Sequence, residues 1–223
     1  MELLAAGRDA DVFALDDDRV LRRYRNGRPA GDDAALLTAV VDAGFPAPAV
    51  LGVDGAGIVL ERLAGPTLGE ALFAGGYDVT EAGTLLASLH DRLHAVPWEG
   101  GTLLHLDLHP FNVILSTRGP VVIDWTDARP GPAGLDVAAT ALIFALAALE
   151  PGAATVGEAS VDAVAPLARD LLAAFVAATG PEYRDHLDGA VALRRANPAM
   201  TRAEIGRLDE AAELAAAAGV PPA

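Results

Sequence analysis

The segment 103-LLHLDLHPFNVIL-115 places two histidines, an aspartate and an asparagine inside an otherwise apolar stretch. Polar side chains in such a setting need a partner or a task, because leaving water without one is costly. His105, Asp107 and His109 alternate along the chain, so they could share a face and bind a metal ion. Asp107 and Asn112 stand five positions apart, which instead suits phosphate chemistry. The rest of the chain has to discriminate between these two interpretations.

Length and composition fit a globular protein of one domain or two small lobes. The chain has 223 residues, of which 52% are hydrophobic, so it can bury a substantial core. It has no cysteine, which excludes disulfides and thiolate metal sites and favours a cytoplasmic location. The first residues, MELLAAGRDADV, lack the pattern of a signal peptide. The longest apolar run, 137–149, is too short to span a membrane, so we expect no membrane partner.

The charge of the chain argues against a nucleic-acid partner. The formal net charge is −15, which repels DNA, RNA and anionic membranes. Acidity of this kind can attract a cationic substrate, or it can serve solubility or reflect a general acidity of the source proteome. There is no lysine, since all 16 basic residues are arginine. An enzyme that normally uses a lysine must therefore use another residue here.

The first 63 residues read as strands with one helix. Two strand-like runs in residues 10–24 flank a turn at 16–18, and a second hairpin turns near 54–57. Between these hairpins a helix over AALLTAVVDA is expected to be capped by Asp32 or Asp33 and to stop at Gly44. This part is therefore predicted to be a small β-rich lobe.

The remainder is predicted to be mostly helical. A Gly/Pro-rich connection leads to a helix over residues 81–95, which Thr80 is expected to cap. NVIL and VVIDW read as two short strands around the turn STRG. From about residue 135 the chain is Ala-rich and helical, and Thr201 with Glu204 forms a capping box for a last helix ending near Gly219.

Phosphoryl transfer needs few protein groups, and this chain supplies them. A carboxylate must orient the attacking hydroxyl, and oxygen ligands must hold the Mg²⁺ of the nucleotide. Asp107 offers the carboxylate, and Asn112 offers an amide oxygen. Asp124 ends the strand that follows, and a tight hairpin is expected to bring it close to Asn112 although the two are twelve positions apart.

This pattern, H-x-D-x-x-x-x-N followed by an apolar strand ending in Asp-Trp, resembles the aminoglycoside phosphotransferase family. Further segments that are similar to the family are RVLRR, GFPAPAVL, IVLERLAGPTL and GPAGLDVA, so the resemblance runs from about residue 10 to 145. It implies an α+β, two-lobed protein-kinase-like fold. Residues 1–63 would form the nucleotide-binding lobe, 61–66 the hinge, and 66–223 the helical catalytic and acceptor-binding lobe.

The resemblance also assigns roles within the quoted segment and beyond it. Asp107 corresponds to the catalytic base, and His105 to a structural support of the catalytic loop. Asn112 and Asp124 correspond to ligands of Mg²⁺. Asp136, at the matching helix start, is expected to cap its helix and to brace the loop.

The nucleotide contacts implied by the resemblance lie in the first lobe. Arg22 corresponds to the third-strand lysine that binds phosphate, with Arg23 as the fallback. Asp33 corresponds to the helix glutamate that pairs with this cation. The hinge, whose backbone meets the adenine base, corresponds to Glu61, Arg62 and Leu63. The implied cofactors are ATP or GTP and Mg²⁺, and the implied partner is a small-molecule hydroxyl acceptor.

Four features depart from the family pattern. Arginine replaces lysine and aspartate replaces glutamate, and a longer cation with a shorter anion can span the same gap. Gly7 is the one glycine in the first loop, AAGRDADV, where phosphate-covering loops often carry several. Leu106 replaces a glycine that is usual in the small-molecule branch.

Two functions other than a small-molecule kinase are compatible with parts of the sequence. A zinc hydrolase could use the histidines of HLDLH together with His90 and His94, which lie four apart on one helix, although no H-E-x-x-H motif is present. A degenerate kinase-like protein would bind nucleotide without catalysis, and the missing lysine favours it.

The acceptor is predicted to be an amine-bearing alcohol, such as an aminoglycoside-like compound. Carboxylates outnumber nearby cations after residue 126, and a cluster of them would focus a negative field at the site. These acids are Asp127, Asp136, Glu150, Glu158, Asp162, Glu182, Asp185 and Asp188.

Overall fold

The computed structural model describes residues 1–7, 9–149 and 164–219, and it divides into two compact units. The first unit holds Met1–Pro66 together with Val113–Thr126. The second unit holds Thr67–Asn112 and the described residues from Asp127 onward. The sequence places residues 113–126 in the second lobe, whereas they group by contact with the first unit.

A five-stranded antiparallel sheet forms most of the first unit, with the strand order β1-β2-β3-β5-β4. The strands are β1 Glu2–Ala6, β2 Ala10–Ala14, β3 Arg19–Tyr24, β4 Val50–Asp54 and β5 Gly57–Glu61. Both hairpins that the sequence predicts are present, as β2–β3 and β4–β5. Strand β1 was not anticipated, because its five residues are all exposed and show no alternation of apolar and polar side chains.

Helix α1, Gly31–Asp42, lies between β3 and β4 in the chain. Its N-cap is Ala30, which makes no side-chain cap, so the expectation that Asp32 or Asp33 caps the helix is wrong. Both aspartates lie in the first turn, where a negative charge still complements the helix dipole. Gly44 follows the helix with φ of 83°, as the sequence predicts for a left-handed stop.

A further hairpin completes the first unit. It pairs β7, Val113–Ser116, with β8, Gly119–Val122, and the sequence predicts both strands. The Leu115 N–H donates to the Pro66 carbonyl at 2.9 Å. A β-carbon at Gly65, whose φ is 134°, would overlap the carbonyl oxygen of Leu115. Only glycine therefore lets the backbone approach this strand so closely.

The second unit is built from helices. They are α2 Leu68–Phe73, α3 Val79–His94, α4 Ala133–Leu149, α5 Val164–Thr179, α6 Leu187–Ala196, α7 Arg202–Ile205 and α8 Leu208–Ala217. Two short strands, β6 Thr102–Leu104 and β9 Arg129–Gly131, pair antiparallel beside them. The sequence did not reveal this pair, because its members are far apart in the chain and only three residues long.

Two of the predicted helix starts can be compared with the structure. Helix α3 begins two residues earlier than expected, at Val79, because Asp78 and not Thr80 accepts the free N–H groups. The capping box of Thr201 and Glu204 is present with both of its hydrogen bonds. It opens the short helix α7 and not one continuous last helix, because α7 ends at its C-cap Gly206 and a separate helix, α8, begins at Leu208.

Helix α4 lies at the centre of the second unit. Most of its side chains are buried, and it packs against α5, α6 and α8. Helices α3 and α5 also pack closely, because a β-carbon at Gly83 would lie 2.6 Å from that of Ala174. Among the described residues, no helix combines the length and the apolar character that crossing a membrane requires.

Candidate active site

The loop after β6 carries an unusual backbone conformation. Leu106 has φ of 66°, in the left-handed region where a side chain costs energy and glycine does not. Its side chain is buried against Leu104 and Ala139, with Leu135 and Leu193 packed around them. The glycine that is usual at this position thus has a physical reason. Here a leucine takes the strained conformation and is compensated by apolar packing.

Asp136, in the first turn of α4, fixes this loop through its carboxylate. It accepts hydrogen bonds from the backbone N–H of Leu106 at 2.6 Å and of His105 at 3.1 Å. The ring of His94 contacts the same carboxylate at 2.9 Å. The expected bracing of the loop is confirmed. The expected capping is wrong, because α4 begins three residues earlier, at Ala133.

The contacts of Asp136 favour its charged form. The group is completely buried. Burial raises the pKa of the carboxyl, but the hydrogen bonds with His94 and with the N–H of Leu106 outweigh this effect and lower the pKa to about 2. Asp136 is therefore an ionised, fully partnered support of the loop and not a free acid.

Thr140 and His90 form a second support of the loop. The hydroxyl of Thr140 donates to the carbonyl of Leu108 at 2.8 Å and also contacts His90 at 3.2 Å. The other ring nitrogen of His90 lies 2.8 Å from the carbonyl of Leu86. Burial lowers the pKa of His90, so the ring stays neutral. Helices α3 and α4 thereby fix the middle of the loop.

Asp107 lies among hydrogen-bond donors. Its Oδ1 accepts from Arg194 at 2.6 Å, and its Oδ2 accepts from the side-chain amide of Asn112 at 3.2 Å. His109 lies 3.7 Å from Oδ2, and the Asp107 N–H donates to the ring of His105 at 3.3 Å. Burial raises the pKa of Asp107, but His109 and Arg194 outweigh burial and hold the pKa well below its ordinary value.

Asn112 ends the loop in a 3₁₀ turn, Pro110–Asn112, with a defined amide orientation. Its Nδ2 donates to the backbone carbonyl of Asp107 at 2.8 Å. The amide nitrogen is thereby used, and within the described part of the chain Oδ1 accepts no hydrogen bond. An amide oxygen presented in this way is the kind of hard ligand that Mg²⁺ takes. The structure thus brings His105, Asp107 and Asn112 together, as the sequence predicts.

Arg22 and Asp124 meet in the first unit. Arg22, on β3, donates to Asp124 Oδ1 at 2.8 Å and to the hydroxyl of Thr126 at 2.6 Å. Thr126 in turn donates to the same carboxylate oxygen at 2.7 Å. Asp124 has φ of 61°, a left-handed conformation that aspartate tolerates better than most residues. Its Oδ2 has no partner among the described residues, which leaves one carboxylate oxygen for a cation.

Arg22, and not Arg23, is the cation of this cluster. Arg23 is 46% exposed and reaches only the exposed Asp54 at 3.7 Å. The predicted pairing of Arg22 with Asp33 is wrong. Within the described residues the carboxylate of Asp33 binds Arg28 at 2.5 Å and accepts the hydroxyl proton of Tyr24.

Tyr24 connects the two groups that were expected to pair directly. Its hydroxyl accepts from Arg22 Nη1 at 2.6 Å while it donates to Asp33. Burial raises the pKa of Tyr24 to about 12, which keeps this hydroxyl protonated. The shorter side chain of aspartate does not reach the guanidinium, and a tyrosine fills the gap.

Two of the three backbone N–H groups expected to form the hinge already make hydrogen bonds within the first unit. The N–H groups of Glu61 and Arg62 donate to the carbonyls of Ala49 and Asp18, at 3.0 and 2.7 Å. The carboxylate of Glu61 is held by Arg118 and by the N–H of Ala49. Of these three N–H groups, only that of Leu63 has no partner in the described part of the chain.

The histidines do not form a metal centre. His90, His94 and His105 each contact protein groups within the second unit. In residues 1–7, 9–149 and 164–219, no group of three or more His, Cys, Asp or Glu side chains could hold a metal ion. The zinc-hydrolase interpretation therefore receives no support from the described structure.

An apolar cavity lies beside His109 in the second unit. Its volume is about 220 Å³. Its walls come from α2, the 3₁₀ turn, α4 and α5, and include Phe73, Phe111, Phe144 and Leu171. Phe73 and Phe111 stack with their ring centroids 6.1 Å apart. The cavity offers apolar contact to a ligand but few polar groups to orient one.

Arg194 is the main site residue that sequence reasoning missed. It lies in the last turn of α6, 87 positions after the carboxylate it contacts. The segment ALRRANPAM around it carries no motif that could have indicated this contact. Tyr24 and Thr126 were missed for the same reason, because each acts by its position in space.

The sequence matches a known enzyme family over the region that contains this loop. Residues 99–185 match the profile of the phosphotransferase enzyme family. A probable serine/threonine-protein kinase BUD32 homolog of Archaeoglobus fulgidus is 29% identical over 148 residues, which cover 59% of this chain and 70% of that protein. These matches confirm the resemblance and the enzyme class that the sequence predicts.

Solved structures confirm the kinase-like fold. A choline/ethanolamine kinase family protein from Mesorhizobium loti superposes with a TM-score of 0.60 at 16% identity, covering 99% of this chain and 88% of that one. The ADP-bound aminoglycoside phosphotransferase APH(2'')-Ib gives a TM-score of 0.57 at 13% identity, covering 96% and 92%. An ethanolamine kinase of Plasmodium vivax gives 0.56 at 10% identity, covering 95% and 80%. At such identities the likeness concerns the fold alone.

Proposed function

We propose that this chain, a phosphotransferase of the kinase-like fold, transfers the terminal phosphoryl group of ATP or GTP to a hydroxyl of a small molecule. The observation that carries the proposal is the arrangement of Asp107 and Asn112 on one braced loop, inside the region that matches the family. The carboxylate of Asp107 is partly exposed, whereas Asn112 is buried and its amide is fixed by the backbone carbonyl of Asp107.

Asp107 acts as the general base in this proposal. The acceptor hydroxyl donates to the carboxylate, and its oxygen attacks the terminal phosphorus of the nucleotide. A new oxygen–phosphorus bond forms, and the bond from phosphorus to the bridging oxygen breaks. The hydroxyl proton passes to Asp107, and the bond electrons leave with the nucleoside diphosphate. A depressed pKa suits late proton transfer, since the transition state of such reactions is loose and needs orientation more than a strong base.

Asn112 and Asp124 are proposed as ligands of Mg²⁺, whose bound charge would neutralise the phosphates. The donor set fits, because it consists of an amide oxygen and a carboxylate oxygen that lack other partners among the described residues. Mg²⁺ usually takes one or two protein oxygens and completes its shell with phosphate and water. Two ligands are therefore sufficient for this role.

Arg22 is proposed to bind phosphate in place of a lysine. Its side chain is only 14% exposed and its guanidinium is fixed by three hydrogen bonds, so it is preorganised. Arginine offers a planar fork that suits phosphate as well as carboxylate. Asp33 contributes through Tyr24, and Glu61, Arg62 and Leu63 form the proposed adenine contact, with the N–H of Leu63 as its donor.

The predicted amine-bearing acceptor remains a sequence-based expectation. Of the carboxylates that motivated it, Glu150, Glu158 and Asp162 lie outside the described residues. Asp136 is completely buried and committed to the catalytic loop. The cytoplasmic location likewise remains an expectation from the composition.

Nucleotide consumption across a panel of small alcohols tests the proposal. Asp107→Ala should abolish transfer while nucleotide binding by calorimetry persists. Asp124→Ala should abolish the Mg²⁺-dependent part of nucleotide binding. The control is Asp91→Ala, which removes an exposed carboxylate from α3 and should change neither measurement.

Nucleotide binding without transfer to any alcohol would instead support a catalytically degenerate kinase-like protein. The absence of lysine is the observation that favours this second candidate. Acceptor-independent ester hydrolysis that survives Asp107→Ala would contradict both.

A further inference from the structure

We propose that Arg194 recognises the acceptor, and that the acceptor carries an oxyanion, a carboxylate or a phosphate, close to the hydroxyl that is phosphorylated. This inference rests on the proposed function, because it takes Asp107 as the group that receives the hydroxyl. It names a class of acceptor opposite in charge to the amine that the acidic composition suggests.

The geometry places a cation where the acceptor must bind. Arg194 Nη2 lies 2.6 Å from Asp107 Oδ1, and the two side chains are only 16% and 26% exposed. The other oxygen, Oδ2, faces Asn112 and His109. A hydroxyl that donates to Oδ1 therefore has the guanidinium as an immediate neighbour. Any charged group attached next to that hydroxyl meets this cation at close range.

The other side chains around Asp107 add no negative charge that would offset the positive charge of Arg194. His109, His105 and Asn112 are its remaining polar side-chain neighbours among the described residues. All are neutral or cationic, and no second carboxylate contacts Asp107 in that part of the chain. An ammonium group here would face a guanidinium with little water to screen it, whereas an oxyanion would be bound by its fork.

Arg194 is held in place by the packing of its helix. Leu193, the residue before it, packs against the cluster formed by Leu104, Leu106 and Ala139. The same Leu106 precedes Asp107 in the loop. Helix α6 and the catalytic loop are thus fastened to each other by apolar contact beside the ion pair. A recognition group on a rigid helix discriminates between ligands better than one on a mobile loop.

Arg195 provides a matched control on the same helix. It is the next residue, it is also an arginine, and it also contacts an aspartate, Asp209, at 2.8 Å. That pair is exposed, with side chains 49% and 81% accessible, and it lies away from Asp107. Replacing Arg195 removes the same charge from the same helix without touching the proposed acceptor site.

Four three-carbon compounds that share a vicinal diol and differ at the remaining carbon test the charge preference. Glycerate carries a carboxylate, glycerol 3-phosphate a phosphate, glycerol no charge, and 3-amino-1,2-propanediol an ammonium group. Binding to the Mg²⁺–nucleotide complex is measured by calorimetry with a non-hydrolysable nucleotide, and turnover is measured with ATP. We expect the wild-type protein to bind at least one of the two anionic compounds on the order of tenfold more tightly than glycerol and the ammonium compound. A tenfold difference is about what one hydrogen bond to a charged group contributes.

The variants separate recognition from other roles of Arg194. Arg194→Ala should remove the preference, with KM for the anionic acceptor rising about tenfold and glycerol affected less than about threefold. Arg194→Lys should retain part of the preference, because it keeps the charge without the fork. Arg195→Ala should behave like the wild type. A thermal melt of each variant confirms folding.

Several results would overturn the inference. They are tighter binding of the ammonium diol, equal binding of all four, or an Arg194→Ala variant that changes all acceptors by the same factor. If the anionic diols bind as expected but no alcohol is phosphorylated, the proposed function fails while the recognition by Arg194 stands. The carboxylate and phosphate arms show which oxyanion the site prefers.

Discussion

The backbone N–H of Leu106 donates to the carboxylate of Asp136 at 2.6 Å, which ties a left-handed residue of the loop after β6 to the first turn of α4. Asp136→Asn should lower the free energy of unfolding by roughly 1.5–3 kcal/mol, the range for hydrogen bonds to charged groups. The amide keeps the shape but replaces one acceptor oxygen by a donor that faces N–H groups. Urea denaturation measures the change.

The control for this variant is Asp91→Asn on the exposed side of α3, which should stay within about 0.5 kcal/mol of the wild type. A loss at Asp136 no larger than that of the control would mean that the loop is held by packing alone.

The stabilising effect of Asp136 should depend on pH in a defined window. A carboxylate whose pKa is lower in the folded state stabilises the fold above its unfolded pKa and loses this effect as the pH falls toward its folded pKa. For Asp136 the two values are 3.8 and about 2. The difference in unfolding free energy between the wild type and Asp136→Asn should therefore shrink by roughly 2 kcal/mol between pH 4 and pH 2. A difference that stays constant over this window would contradict the assignment.

At position 106 a glycine variant should be more stable than an alanine variant, the reverse of the usual order of stability. Both Leu106→Ala and Leu106→Gly lose the buried side chain, but only glycine relieves the left-handed strain at φ 66°. We expect both variants to be less stable than the wild type, with the glycine variant more stable than the alanine variant by about 1 kcal/mol. Thermal or urea unfolding decides this. An alanine variant that is the more stable of the two would show that the backbone relaxes out of the left-handed region.

Arg22 and Arg23 should differ sharply in their effect on nucleotide binding. Arg22→Ala should weaken the binding of Mg²⁺–ATP by about 1.5–3 kcal/mol, because it removes a charged donor and releases Asp124. Arg23→Ala should leave binding within about 0.5 kcal/mol of the wild type. Calorimetry on both variants makes the comparison. Equal effects of the two would show that neither guanidinium has the special role.

Local signals in the sequence predicted the sheet hairpins well. Turn residues at 16–18 and 54–57 fix β2–β3 and β4–β5, because short hairpins depend on contacts between near neighbours. Helix caps were predicted less well. Asp33 has the right type and place for a cap, but its carboxylate is used by Tyr24 and Arg28. Competition from tertiary contacts is invisible to a local pattern.

The candidate site likewise contains some residues that a local motif reveals and others that only tertiary packing brings together. His105, Asp107 and Asn112 lie within eight positions, so one motif could reveal them. The link from Arg22 through Tyr24 to Asp33 and the contact of Arg194 with Asp107 depend on how distant segments pack. Arg194 lies on a helix whose sequence gives no sign of what it faces.

The first compact unit is not a continuous piece of chain, and this has a consequence for its synthesis. The carbonyls of Pro46 and Pro66 receive their donors from Val122 and Leu115. During translation, residues 113–126 emerge on the order of seconds after residue 66. Until then the nascent sheet lacks these hydrogen-bond partners, so the first unit cannot complete its fold before α2 and α3 have been synthesised. A gene fragment that stops at Pro66 should therefore yield an insoluble or unfolded peptide, which co-expression of the missing hairpin could rescue in trans.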